Sequence, residues 1–222
     1  MNNLTHKFRQ FWGQEKSLSI LLIILVVQIF IIIPIGQKAQ WSKIIFLGFY
    51  ISLLSAGLFL HIKNTRLRIA LITFITLLLV SGSGLFFRSF TFETLDDAAI
   101  VLYCIFLSWI VLLQTFKEGP ITIHRIQGSI VVYLLISFIF GILYHIIAKA
   151  DGGAFHGLKS SDRKELMYFS LVTLTTMGYG DITPILPLAR SLTTMEALVG
   201  QLYPAILIAR LVSMEFDSSR KR

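Results

Sequence analysis

Six apolar runs, each long enough to cross a lipid bilayer as a helix, account for most of the 222-residue sequence. A helix needs roughly 20 residues to span about 30 Å of hydrocarbon. With 55% hydrophobic and 14% charged residues, the composition is that of a multi-pass membrane protein and excludes an ordinary soluble domain. The sequence therefore predicts an all-α membrane protein with six transmembrane helices, whose approximate limits are Ser17 to Ile35, Ser42 to His61, Leu67 to Phe87, Ala98 to Phe116, Ile126 to Ile147 and Pro187 to Ser213.

The spacing of the runs divides the chain into two parts. The first four runs follow one another through short polar joints, whereas residues 148–186 separate the fifth from the sixth. We therefore expect four segments, namely an N-terminal stretch over 1–16, a four-helix block over 17–116, a helix, re-entrant loop and helix unit over 121–213, and a tail over 214–222.

Basic residues indicate the orientation of the chain, because cytoplasmic segments of membrane proteins carry the excess of lysine and arginine. With the N-terminus inside, twelve of the 20 basic residues fall on the inner side, and seven of the 12 acidic residues fall outside. We expect a protein of the plasma (inner) membrane with both termini cytoplasmic and residues 148–186 facing outward. The charge of +8 is spread over short joints, so the expected contacts are membrane lipids and not nucleic acid.

A half-length helix is predicted within the outward-facing segment. Ser160, Ser161 and Asp162 are typical of an N-cap, Glu165 suits the first turn, and the pattern continues to Thr175. About 14 helical residues measure roughly 21 Å, so this helix reaches only part way into the bilayer. The negative end of its dipole then lies near the membrane centre, where it favours a cation.

The residues that follow this helix are Thr175-Thr176-Met177-Gly178-Tyr179-Gly180-Asp181. Non-helical backbone at membrane depth is tolerated only when it is buried in protein or lines a water-filled path. Gly178 and Gly180 reach backbone angles that are costly for other residues, so an alternating backbone can turn successive carbonyls to one side. Four copies around an axis would form stacked oxygen rings that replace the hydration shell of an ion, with the Thr176 hydroxyl innermost.

This loop resembles the signature of tetrameric potassium channels, which select potassium with carbonyl rings. The resemblance extends to Tyr168-Phe169-Ser170 before the loop, Thr183-Pro184 after it, and parts of the fifth and sixth runs. It implies that 121–213 is a pore domain with an outer helix, pore helix, filter and inner helix. By the resemblance, Thr176, Met177, Gly178 and Tyr179 supply oxygens to K⁺, while Gly180 and Asp181 complete the filter and shape its outer mouth.

One loop cannot surround an ion, so the chemistry predicts a homotetramer with closed cyclic symmetry. The expected function is passive, potassium-selective conduction, with K⁺ as the transported ion and no cofactor. We expect no enzyme, because the sequence has no constellation of nucleophile, base and cofactor. Two alternatives stay open, namely the pore subunit of a potassium uptake transporter and a weakly selective cation channel.

Thr175, Asp181, Tyr168 and Glu196 are predicted to support the filter. By the resemblance, Asp181 is tied to the pore helix, and Tyr168 lies where the family often has a tryptophan. We therefore expect a hydrogen bond from the Tyr168 hydroxyl to Asp181. Glu196 is expected behind the filter, near pore-helix hydroxyls such as Thr173 or Thr175, with either a structural hydrogen-bonding role or a role in gating and pH sensing.

Four residues of the sixth run are predicted to line the cavity or to take part in gating, namely Gly200, Gln201, Pro204 and Ile208. Pro204 leaves the carbonyl of Gly200 without its intrahelical partner, which predicts a bend. Gln201, Pro204 and Ile208 share one helical face at this spacing. The sequence does not distinguish a fixed kink from a moving hinge.

The fourth run makes voltage gating unexpected. It has no Lys or Arg between Ala98 and Phe116, whereas a voltage sensor needs several, since each charge contributes only about 2.3 kcal/mol per 100 mV. The short stretch after Ser213 predicts no attached ligand-binding domain, which leaves lipid, tension, pH or an unidentified gating partner as the stimulus. Asp96 and Asp97, at the head of this run, are interpreted as loop or helix-packing residues.

Overall fold

The computed structural model describes residues 16–32, 90–116, 122–159 and 163–220. The predicted second and third runs and the predicted N-cap at 160–162 lie outside these residues. In the described part of the chain, the elements in order are α1 (Lys16–Val27), a π-helix (Gln28–Ile32), α2 (Phe90–Thr115), α3 (Ile123–Ala150), β1 (Phe155–His156), α4 (Arg163–Leu174), β2 (Thr183–Pro184) and α5 (Pro187–Arg220).

Three of the described helices are long and apolar enough to cross a membrane. The spanning stretches are Thr94–Leu113 within α2, Ile123–Ala150 in α3 and Pro187–Met214 within α5. They correspond to the predicted fourth, fifth and sixth runs. A shorter apolar stretch, Leu21–Ile31, covers most of α1 and the π-helix at the predicted first run. The chain is therefore a mostly helical membrane protein.

Helix α3 lies at the centre of the described fold and contacts α1, α2, α4 and α5. Its buried side chains form two apolar clusters, since residues on several faces of the helix have helical neighbours. The first cluster joins α3 to α1 and α2 and includes Leu25, Leu107, Val131 and Leu135. The second joins the far end of α3 to α4 and the small sheet and includes Tyr144, Phe155, Phe169 and Ile182.

Helix α2 begins at Phe90, before the predicted start of the fourth run at Ala98. Asp96 and Asp97 therefore lie inside a helix, where they are 5% and 0% exposed. The interpretation of these residues as loop is wrong, and the helix-packing interpretation holds. Asp97 can be buried inside this helix because its carboxylate forms an ion pair with Arg163 at 2.6 Å, which compensates the charge where water cannot reach it.

A two-stranded antiparallel sheet connects the segments before and after α4. Phe155 lies opposite Pro184, and His156 lies opposite Thr183. The backbone N–H of Ile185 also donates to the carbonyl of Ala154 at 2.8 Å. The loop after α3 is thereby fixed to the chain that leaves the Thr175–Asp181 segment.

Candidate functional site

The Thr175–Asp181 segment, termed here the candidate filter loop, begins where α4 ends at Leu174. Its first residues still bond to the helix. The backbone N–H groups of Met177 and Gly178 both donate to the carbonyl of Val172, at 2.9 and 3.3 Å. The Thr175 hydroxyl donates to the carbonyl of Leu171 at 2.7 Å. These bonds hold the start of the loop in line with the end of α4.

Backbone angles alternate along the candidate filter loop. Thr176, Gly178 and Gly180 have φ values of 57°, 53° and 77°, whereas Met177 and Tyr179, which lie between them, do not have positive φ. Thr176 is the one non-glycine residue with positive φ among those that the structure describes. This conformation is unfavourable for a β-branched residue, so the loop holds Thr176 under strain. All seven residues of the loop are exposed in the single chain.

Glu196 on α5 is fully buried behind α4. The Tyr144 hydroxyl of α3 donates to Oε2 of Glu196 at 2.6 Å, and the Ser170 hydroxyl of α4 contacts Oε1. Ser170 also contacts the backbone carbonyl of Ser137 at 2.7 Å. A pore-helix hydroxyl was expected beside Glu196, and the one found is Ser170, closer to the start of α4 than the suggested Thr173 or Thr175.

The carbonyl of Leu174, the last residue of α4, is also held by both neighbouring helices. Its oxygen accepts a hydrogen bond from the Tyr133 hydroxyl of α3 at 3.0 Å. Gly200 of α5 packs against the same carbonyl so closely that a Cβ atom at Gly200 would overlap it. Tyr133 stacks on Tyr203 with 5.9 Å between ring centroids, and the Tyr203 hydroxyl donates to the carbonyl of Ser129 at 2.9 Å.

Asp181, at the far end of the candidate filter loop, contacts two parts of the chain. Its side chain accepts a hydrogen bond from the Tyr168 hydroxyl of α4, the interaction expected from the sequence. Its backbone carbonyl lies against Gly157, where φ is 85° and a Cβ atom would overlap the carbonyl oxygen. The loop after α3 thus packs on the end of the candidate filter loop.

The predicted cavity and gating residues lie along the middle of α5. Gly200 is buried, Pro204 is partly buried, and Gln201 and Ile208 are exposed. Pro204 lies inside a helix that continues from Pro187 to Arg220. The exposed positions are consistent with a face that lines a cavity, and the hinge at Gly200 and Pro204 stays a prediction.

Several functional contacts were missed by reasoning from sequence. Tyr133, Ser137 and Tyr144 bond to Leu174, Ser170 and Glu196, respectively. On α3 they are spaced i, i+4 and i+11, which places all three on one face. A polar stripe of this kind in an otherwise apolar span is a signal that the sequence does carry.

Within the described ranges, no group of three or more His, Cys, Asp and Glu side chains could hold a metal ion. The candidate filter loop itself offers backbone carbonyl oxygens, the hydroxyl oxygens of Thr175, Thr176 and Tyr179, and the carboxylate of Asp181. Such oxygens suit hard cations.

The membrane-spanning helices, the short helix between them and its glycine-bearing loop define an ion-channel domain. The sequence profile of the family described as "Ion channel" matches residues 130–216. Protein LctB of Bacillus caldotenax is 31% identical over 122 residues, which cover 52% of this chain and 89% of that protein. The chain therefore belongs to the family of Protein LctB and carries an ion-channel domain.

Two further relatives match shorter stretches. Protein LctB of Geobacillus stearothermophilus is 35% identical over 78 residues, which are 35% of this chain and 54% of that protein. The inward rectifier potassium channel Kirbac3.1 of Paramagnetospirillum magnetotacticum is 34% identical over 87 residues, which are 39% of this chain and 27% of the channel. The chain therefore spans about half and about a quarter of these two relatives. No solved structure matches the chain significantly.

Proposed function

We propose that the protein is a potassium-selective channel that conducts K⁺ passively through a filter built from the candidate filter loop. The observation that carries this function is the alternation of positive φ at Thr176, Gly178 and Gly180. Such alternation lets consecutive carbonyls face one side, as an oxygen-lined ion path requires. The oxygens of Thr176, Met177, Gly178 and Tyr179 hold the ion, and Gly180 completes the filter.

In this function α4 is a re-entrant pore helix that points its C-terminus at the ion. Three side chains support the geometry of the filter. Tyr168 acts by its contact with Asp181, Glu196 by its contact with Ser170, and Thr175 by its hydrogen bond to the end of α4. The negative end of the helix dipole favours a cation beside Thr175. Gln201, Pro204 and Ile208 line the cavity below the filter, and Gly200 lies beside it.

A homotetramer completes the site, because one loop encloses no ion. The apolar surface of α5 supports this assembly. Only 6% of the most apolar stretch of α5 is buried in the single chain, whereas 56% of the most apolar stretch is buried in each of α2 and α3. Its exposed apolar side chains include Leu188, Met195, Leu198, Leu202 and Ile206. Copies of α5 from neighbouring subunits would cover this surface around a common axis.

The proposed subunit has six spans in the inner membrane and cytoplasmic termini, with a four-helix block at 17–116 and a pore domain at 121–213. Asp97 and Arg163, which the charge count assigns to the same outer side, form an ion pair, and His145 lies beside Asp97. Helix α2 carries no Lys or Arg, so the fourth helix offers no gating charges to a transmembrane voltage. Voltage gating is therefore not part of the proposed function.

Purified full-length protein reconstituted into liposomes under a potassium gradient tests this function. The expected result is K⁺ flux down its gradient without an energy source, and much smaller Na⁺ flux. Equal Na⁺ flux would indicate a weakly selective cation channel. Saturating, ion-coupled uptake would indicate a transporter subunit, and absence of flux under any stimulus would overturn the channel function.

A further inference from the structure

A buried ion pair joins α2 to the first residue of α4. The Arg163 nitrogen Nη2 lies 2.6 Å from Oδ1 of Asp97, and Nε2 of His145 on α3 lies 3.6 Å from Oδ2. Lys149 and Asp96 also act electrostatically on Asp97. The Asp97 side chain is 0% exposed and that of Arg163 is 16% exposed. Three helices therefore meet at one carboxylate that water does not reach.

The dipole of α2 does not account for the charge of Asp97. A helix N-terminus stabilises acidic residues within its first turn. Asp97 lies about two turns from the start of α2. A buried carboxylate at that depth is costly unless it has a charged or hydrogen-bonding partner. The position of Asp97 is thus explained by its neighbours on other helices.

The positive charge of Arg163 is unfavourable at the N-terminal end of α4 unless a negative charge lies nearby. Arg163 and Lys164 begin this helix, where the positive end of the dipole repels cations. The acidic residue of the first turn, Glu165, accepts a hydrogen bond from the backbone N–H of Lys159 at 2.8 Å and so contacts the preceding loop. Asp97 supplies a second negative charge to this helix end, from outside the helix.

The placement of α4 in turn determines the placement of the candidate filter loop. The loop leaves the helix end directly and bonds back to Val172 through Met177 and Gly178. Because α4 is a single short helix of 12 residues, a shift or tilt at Arg163 is transmitted to Leu174. The contact with Asp97 therefore acts on the loop through a rigid element.

We propose that Asp97 is a positioning residue of the filter, a role that presupposes the proposed channel function. Through Arg163 it fixes the N-terminal end of α4, and it thereby couples α2 of the N-terminal block to ion conduction. The four-helix block, which lacks gating charges in α2, gains a route by which its movement reaches the pore.

The two partners differ in what their removal leaves behind. Arg163→Gln leaves a fully buried carboxylate without its closest cation, whereas Asp97→Asn leaves an arginine that reaches water. Removing the partner of the charge that stays buried is the more damaging change, because that charge is left uncompensated. Arg163→Gln is therefore expected to be worse than Asp97→Asn, and the double variant Asp97→Asn/Arg163→Gln to be milder than Arg163→Gln alone. Arg163→Lys keeps the cation and is expected to retain most of the function.

Two measurements on the full-length chain in liposomes test this role, namely K⁺ flux per assembled protein and amide hydrogen exchange over residues 163–181. Asp97→Asn is expected to reduce flux at least about tenfold, equivalent to about 1.4 kcal/mol, and to speed exchange in that segment. Asp96→Asn is the matched control, since it neutralises the adjacent buried carboxylate, which acts on Asp97 only as a like charge, and leaves the Asp97–Arg163 ion pair itself intact. The control is expected to retain wild-type flux and exchange.

The outcomes separate the positioning role from the channel function. Wild-type protein without K⁺ flux overturns the channel function, and faster exchange in Asp97→Asn than in Asp96→Asn then still supports the anchoring of α4. Conducting wild-type protein with equal flux in the Asp97, Arg163 and Asp96 variants overturns the positioning role. Equal damage from Arg163→Lys and Arg163→Gln also overturns it, because charge would then not be what Arg163 contributes.

Discussion

Gly200 on α5 packs directly against the backbone carbonyl of Leu174, the last residue of α4. The atoms that an added Cβ would meet belong to the backbone, which cannot rotate away as a side chain can. The same carbonyl accepts the hydrogen bond from Tyr133. Gly200 is therefore needed for the packing of two helices at the base of the candidate filter loop, in addition to any role as a hinge beside Pro204.

Gly200→Ala is expected to destabilise the assembled protein by about 1–3 kcal/mol per subunit, the usual cost of overpacking a fitted contact. The measurement is the midpoint of thermal dissociation of the purified assembly. Gly152→Ala is the matched control, because an added Cβ there has nothing within 4 Å. A pure hinge would leave the midpoint of Gly200→Ala equal to that of the control and alter channel opening only.

Gly178→Ala is expected to impair potassium selectivity through backbone angle. Nothing lies within 4 Å of an added Cβ at Gly178 in the single chain, but its φ of 53° is unfavourable for alanine. The left-handed conformation costs an L-residue about 1–2 kcal/mol. The measurement is the ratio of K⁺ to Na⁺ permeability in liposomes, which should fall.

Met177→Val serves as the comparison for that variant. Met177 does not have positive φ, and its carbonyl is the group proposed to face the ion. Changing its side chain is expected to leave the permeability ratio close to wild type. If Met177→Val lowers the ratio as much as Gly178→Ala does, side-chain volume and not backbone angle determines selectivity.

The class of protein and the position of the candidate filter loop could be predicted from the sequence, for two physical reasons. A membrane span requires a long apolar run, which the sequence reveals directly. The predicted starts of α3 and α5, at Ile126 and Pro187, therefore lie within a few residues of the observed ones, whereas α2 begins well before the predicted Ala98. The glycines at positions 178 and 180 mark positive φ, because few other residues adopt it. Thr176 shares that conformation without any comparable sign in its residue type.

Contacts between helices could not be predicted in the same way. Counting charges placed Asp97 and Arg163 on the same side of the membrane, but their pairing depends on how α2, α3 and α4 are rotated and shifted against one another. The partners of Glu196 depend on the same rotations, and for this reason Tyr144 was missed and Ser170 was not singled out. Helical periodicity gives the face of one helix and not its register against the next.

Glu196→Gln is expected to preserve the network behind α4. The hydroxyl of Ser170 has one hydrogen, yet its oxygen contacts both the carbonyl of Ser137 and Oε1 of Glu196. Both contacts are full two-centre hydrogen bonds at the same time when Glu196 carries the second hydrogen, and a single shared hydrogen otherwise serves both. The amide of glutamine can donate to Ser170 and accept from Tyr144, so thermal stability should stay within about 1 kcal/mol of wild type.

Glu196→Ala is the contrasting variant. It leaves the hydroxyl of Tyr144 without this acceptor in a buried site, at a cost of about 1–3 kcal/mol, whereas the hydroxyl of Ser170 keeps its hydrogen bond to the carbonyl of Ser137. Its midpoint of thermal dissociation should therefore lie well below those of wild type and Glu196→Gln. Strong destabilisation by Glu196→Gln would indicate that the negative charge of Glu196, and not its hydrogen bonding, is required.

Tyr168→Phe removes only the hydroxyl that donates to Asp181, and it is expected to accelerate the decay of potassium current. Asp181 ends the candidate filter loop, so loss of this bond frees the outer end of the loop from α4. A hydrogen bond to a charged acceptor contributes about 1.5–3 kcal/mol when buried, and less here because Tyr168 is 40% exposed. A several-fold increase in the decay rate is therefore expected, measured by patch-clamp recording of reconstituted protein.

A double-mutant cycle identifies the bond as the cause. If Tyr168 acts through Asp181, then Asp181→Asn should change the decay, and adding Tyr168→Phe to it should have a much smaller effect than in wild type. Additive effects would mean that the two side chains influence the loop separately. Unchanged decay in Tyr168→Phe alone would show that the outer end of the loop is held by its other contact, the packing of the Asp181 carbonyl against Gly157.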